Sequence, residues 1–111
     1  SIKKMERTDQ IVELISKANQ LFESGVIRDG QKLTREALKL VKVQGKIPNK
    51  LKHKLNATVA LSRYFDDISS FATNPKRDEL VSKIKEIVDN PLKNPRKQAD
   101  EIHKFKPSGK H

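Results

Sequence analysis

Apolar residues recur at Ile11, Val12, Leu14, Ile15, Ala18, Leu21 and Phe22, the spacing of one helical face. Thr8 or Asp9 suits the N-cap of that helix, and Glu13 its first turn. Ser24-Gly25 predicts its end, because glycine adopts the left-handed conformation that closes helices. Residues 1–7 read as a charged, frayed lead-in. Val26 to Gly30 reads as a short loop with two apolar residues. Leu33, Ala37, Leu38, Leu40 and Val41 then predict a second helix over 31–44, stopped at Gly45.

Pro48 suits the first turn of a third helix, where its missing N–H is not needed. Leu51 and Leu55 are its inward positions. Asn56 reads as a cap or kink before a fourth helix over 57–69, carrying Val59, Ala60, Leu61, Tyr64, Phe65 and Ile68. That helix is apolar on much of its surface and is expected to be the most buried. Ser69 to Pro75 reads as a loop, with Asn74-Pro75 as the breaker. Leu80, Val81, Ile84, Ile87 and Val88 predict a fifth helix over 76–89. Ala99, Ile102 and Phe105 predict a short last helix over 96–105. The pattern predicts an all-α fold, a compact bundle of four to six short helices, over residues 8–90. A basic C-terminal segment follows over 91–111.

Composition narrows the chemistry. The chain has 111 residues, enough for one domain. It has no Cys and no Trp, so disulfides, thiolate metal sites and cysteine nucleophiles are excluded. No run of 18 apolar residues exists, so no transmembrane segment is expected. Ser1 to Met5 lacks the apolar stretch of a secretory signal. A chain opening on Ser reads as an excised or processed domain.

His53, His103 and His111 stand in no ligand pattern. Asp66-Asp67, Asp78-Glu79 and Asp100-Glu101 are adjacent pairs, and adjacent helical positions do not face each other. No phosphate-cradling glycine loop and no nucleophile elbow is present. The reading is no enzyme, no cofactor, no metal and no small-molecule substrate.

The formal net charge is +10, from 24 basic and 14 acidic residues, which favours an acidic or polyanionic partner. The plainer alternative is a solvated lysine face. Between Glu36 and Asp66 no acidic residue occurs. That stretch carries Lys39, Lys42, Lys46, Lys50, Lys52, Lys54 and Arg63, the candidate polyanion-binding set. Lysines bind phosphate as point charges, so contact with a DNA or RNA backbone would be salt-sensitive and sequence-tolerant.

One further pattern is shared with a known family. Leu38, Leu40, Val41 and Val43 lead to Ile47-Pro48, Leu51, Leu55, Val59, Leu61 and Tyr64. Ile68-Ser69-Ser70-Phe71-Ala72-Thr73 and then Leu80-Val81, Ile84 and Ile87 complete it. This order resembles the N-terminal-domain family of elongation factor TFIIS, and most of all its integrase-binding relatives of the lens-epithelium-derived growth factor type. The resemblance implies a non-enzymatic module that binds short, disordered, acidic peptide segments of other proteins through interhelical loops. It implies a transcription- or chromatin-associated role and a nuclear location, the cytoplasm being the alternative. By the same resemblance Phe71 and Thr73 would grip the peptide and Asp29 would meet its backbone. Phe71 either packs into its own bundle or stands exposed among Ser69, Ser70, Thr73 and Asn74 as an anchor. A third reading is a bacteriocin-immunity-type helical protein, which Phe71, Thr73, Glu79, Leu80 and Ile84 also resemble.

Overall fold

Helix α1 spans Ile2–Glu23 and α2 spans Ile27–Gln44. Gly25 joins them with φ 86°. The Gly25 amide donates to the Phe22 carbonyl (3.1 Å) and the Val26 amide to that of Leu21 (2.9 Å). This paired closure satisfies the last carbonyls of α1 and turns the chain back in three residues. The two helices therefore lie antiparallel along most of their length.

The computed structural model describes residues 2–68 and 73–105, with side chains from Glu6 onward. Five helices and no strand occur among them, so the fold is the all-α bundle that the periodicity predicts. Helix α3 spans Asn49–Asp67, α4 spans Arg77–Asp89 and α5 spans Pro95–Lys104.

Three expected boundaries are corrected. Helix α1 begins at Ile2, not near Thr8, so neither Thr8 nor Asp9 is its cap. Thr8 Oγ1 instead accepts from the Gln44 Nε2 amide (2.8 Å), tying α1 to the end of α2. Helix α2 begins at Ile27 and absorbs the expected loop, including Gly30. The two helices expected over 48–69 are one, because no proline or glycine interrupts Asn49–Asp67 and asparagine costs only a modest amount in a helix. Helix α5 begins at Pro95, one residue ahead of the expected start: Asn94 Oδ1 accepts from the Arg96 and Lys97 amides, with Pro95 at the first helical position.

The protein measures 51 × 25 × 19 Å and holds two apolar clusters in series. At one end, Ile11 and Ile15 of α1, Ala37 of α2, Ile47 of the α2–α3 connection and Leu51 and Leu55 of α3 form a three-helix core. At the other, Ala18 and Phe22 meet the second half of α3, closed over by Leu80, Ile84 and Ile87 of α4 and Ile102 of α5. Phe22 and Phe65 lie 5.0 Å apart between ring centres. Burying each such side chain stabilises by roughly 1.5–3 kcal/mol. The second half of α3 contributes Ala57, Thr58, Ala60, Leu61, Tyr64 and Phe65 to the interior, as its apolar surface predicts. Helices α4 and α5 thus cover one end of the bundle and leave the α2–α3 connection uncovered.

Candidate functional site

The uncovered end is built by Gly45 and Ile47. Gly45 takes φ 88°, and its amide donates to the Val41 carbonyl at 2.7 Å, ending α2. Ile47 then turns inward and is buried. Pro48 opens α3 in an extended conformation, its carbonyl accepting from the Lys52 amide. A cleft of about 330 Å³ lies between the end of α2 and the start of α3. Leu38, Val41, Ile47 and Leu55 form its apolar lining, and Lys46, Asn49, Lys52 and Asn56 its polar part.

The seven cations of the acid-free stretch do not form one face. Lys46 and Lys52 line the cleft. Lys39 and Lys42 stand on the solvent face of α2. On α3, Lys52 and Lys54 project about 160° apart around the helix axis, with Lys50 near Lys54 and Arg63 near Lys52. The expected single patch is therefore divided by α3, whose buried positions occupy both of its sides.

Ion pairing sets these cations apart from five others. Lys17 pairs with Glu13, Lys76 with Glu79, Lys83 with Glu86, Lys85 with Glu23 and Lys104 with Glu101. Among the described residues, none of the ten cations between Ile27 and Asp67 has a carboxylate partner. Three of the ten, Arg28, Lys32 and Arg35, precede the acid-free stretch and are missed by a search that begins after Glu36. The signal that finds them is spacing: positions 28, 32, 35, 39 and 42 advance by alternating steps of four and three.

The residues named for peptide contact are placed apart in kind. Asp29 is exposed in the first turn of α2, not in a loop. Thr73 is exposed just ahead of α4. Phe71 lies outside the described residues.

The titratable groups give no metal or acid–base constellation. Among the described residues no three of His, Asp and Glu gather closely enough to hold a metal ion. His103 stands against the Tyr64 ring, 5.9 Å between centres, with Nδ1 3.9 Å from Asp67 Oδ2. Glu101 on exposed α5 is held below its usual carboxylate range by the hydrogen bond from Lys104, and the same bond raises Lys104. Burial pushes the Tyr64 hydroxyl up to about 12. None of these lies in the α2–α3 cleft. Among the described residues no helix is long and apolar enough to cross a membrane. No family model, curated protein or solved structure matches the chain.

Proposed function

We propose that this protein is a non-enzymatic interaction module that binds an acidic, disordered peptide segment of another protein in the cleft between α2 and α3. One observation carries the reading: the cleft combines an apolar floor of Leu38, Val41, Ile47 and Leu55 with Lys46 and Lys52, which have no carboxylate partner among the described residues. An apolar floor takes a leucine or phenylalanine side chain. Unpaired Lys46 and Lys52 attract carboxylates on either side of it, and no internal pair has to break first. The cleft sits at an interhelical connection, the kind of position through which the TFIIS-type modules would act. The same resemblance places the proposed module in a nuclear, transcription-associated protein. With no matching protein, that context rests on the residue pattern from Leu38 to Ile87 alone.

The test is fluorescence anisotropy with a labelled peptide of alternating Glu and Leu, measured at about 50 and 200 mM salt, where exposed charges are screened to different extents. The wild type is expected to bind at low salt and more weakly at high salt. Lys46→Glu/Lys52→Glu is expected to abolish binding while keeping the wild-type melting temperature. Equal binding by the double variant would sink the cleft as the site. Loss of binding in Phe71→Ala, with the melting temperature unchanged, would move the site to the turn after Ile68.

A further inference from the structure

The outer face of α2 is independent of the cleft and carries a different arrangement. Arg28, Lys32, Arg35, Lys39 and Lys42 are all exposed. At about 100° per residue they fall within roughly 80° of arc, opposite buried Gly30, Thr34 and Ala37. They form a straight row about 21 Å long, with axial steps of about 6 and 4.5 Å. Neighbours in such a row repel, and each like-charged pair three or four residues apart destabilises a helix by a few tenths of a kcal/mol. Asp29 and Glu36 stand three or four residues from Lys32 and Lys39 and relieve part of that repulsion, but none of the five forms an ion pair with a carboxylate among the described residues. Among the described elements α2 packs only against α1 and α3, so none of the others covers the row.

Hydrogen bonds fix how the row sits on the molecule. Gln31 Nε2 donates to the Ser62 carbonyl (2.8 Å) and to Asp66 Oδ1 (2.9 Å) of α3. The flank of α2 bearing Arg28, Arg35 and Lys42 therefore adjoins α3. On α3 the neighbouring outward positions include Arg63 and Lys52, also exposed and unpaired. Asp29 and Glu36 lie on the other flank of α2, beside Lys32 and Lys39, and Asp66 borders the double row on α3.

We propose that the α2 row is a docking surface for the phosphate backbone of a nucleic-acid duplex. A strand of duplex presents a phosphate about every 3.4 Å of axis, so a 21 Å row spans about six of them. Among the described residues the surface has no aromatic side chain on which unpaired bases could stack, which disfavours single strands. Among the described residues it has no exposed Phe, Trp or Leu beside the cations to enter a bilayer. Val43, 69% exposed, is its one large apolar neighbour, and a membrane-surface helix needs a broad apolar face. Long, flexible lysines and two arginines without base-reading neighbours predict binding to any duplex sequence.

The experiment measures binding of the full chain to two unrelated 20-base-pair DNA duplexes at about 50 and 200 mM salt. Five phosphate contacts predict a roughly 500-fold loss of affinity over that range for the wild type. Arg28→Gln/Lys32→Gln/Arg35→Gln leaves two contacts, so its affinity is weaker at low salt and its salt-dependent loss shrinks to about 12-fold. Both duplexes are expected to bind alike. Glutamine keeps a good helix propensity, and a circular-dichroism melt confirms that the triple variant is folded. Lys46→Glu, which changes the cleft but no member of the double row, is expected to retain duplex binding, which separates this surface from the peptide cleft. The proposal is overturned if the wild type binds neither duplex at about 50 mM salt, or if the triple variant shows the wild-type salt dependence. It is equally overturned if polyglutamate or phosphatidylserine vesicles bind and the duplexes do not.

Discussion

Asn19 on α1 donates through Nδ2 to Thr58 Oγ1 on α3 at 3.0 Å, and Thr58 in turn donates to the Lys54 carbonyl. Both side chains are buried, at the level where the two apolar clusters meet. Asn19 Nδ2 also reaches the Ile15 carbonyl, but Asn19 Oδ1 has no partner. The pair sets the register of α1 against α3 at the expense of one orphaned acceptor. Thr58→Val removes an acceptor from a buried donor and is expected to destabilise by about 1–2 kcal/mol. Asn19→Leu/Thr58→Val removes both polar groups and is expected to recover most of that loss or exceed it. Urea unfolding of the two single variants and the double variant checks the cycle. A purely additive result would show that the hydrogen bond contributes nothing beyond the separate side chains.

Gly30 in α2 is a contact glycine. A Cβ there would stand 2.6 and 2.7 Å from two Phe22 ring carbons and 3.0 Å from the Ala18 carbonyl oxygen. The Phe22 ring is wholly buried against Phe65 and has no free side to move into. Alanine gains about 1 kcal/mol of helix propensity over glycine, yet overpacking a core costs typically 1–3 kcal/mol. Gly30→Ala is therefore expected to lower stability by about 1 kcal/mol or more. Gly30→Ala/Phe22→Leu, with the ring gone, should recover part of it. Thermal melts of the two proteins decide the matter, and a stabilised Gly30→Ala would show that the helices spread at no cost.

These residues also show how far the sequence was legible. Gly25 and Gly30 look alike in the chain, five residues apart. Gly25 ends a helix through its backbone angle, whereas Gly30 sits inside one, where the Phe22 ring of α1 presses on it. Only the three-dimensional packing of α1 on α2 separates the two roles. Asn56 was ambiguous for a related reason, since its propensity is intermediate and burial on both sides of α3 holds the helix continuous. The apolar stripes, by contrast, located the core from Ile11 to Ile102, because burial and periodicity are one signal. At the proposed cleft, the acid-free stretch supplies Lys46 and Lys52. It also merged cations that α3 sends to different sides and missed the row beginning at Arg28, which becomes visible once α2 is known to start at Ile27.

The start of α5 rests on one side chain. Asn94 Oδ1 accepts from the Arg96 amide at 2.9 Å and the Lys97 amide at 3.2 Å. Asn94→Ala leaves both donors without a protein partner and is expected to cost about 1 kcal/mol. Asn94→Asp keeps the acceptor and adds a negative charge at the positive end of the helix, so it should hold or slightly raise stability. Melting temperatures of the two variants should differ by several degrees. Equal values would show that Pro95 alone fixes this turn.

Tyr64 gives the fold an alkaline limit that can be read directly. Its ring is buried, and its hydroxyl donates to the Phe105 carbonyl at 2.7 Å, fastening the end of α5 to α3. Burial raises the hydroxyl from the ordinary 10.0 to about 12, since the phenolate would lose its hydration. Between these values the folded protein holds a proton that the unfolded chain has released. Stability is therefore full below pH 10, falls as pH rises toward 12, and loses up to about 3 kcal/mol in all. The chain has one Tyr and no Trp, so absorbance near 295 nm follows this group alone. The native protein should titrate near 12 and the urea-unfolded chain near 10, with the melting temperature dropping across the interval. Tyr64→Phe should lose this pH-dependent fall and start about 1 kcal/mol less stable, because the Phe105 carbonyl loses its donor. A native titration near 10 would show that the hydroxyl is open to water and that α5 is not fastened there.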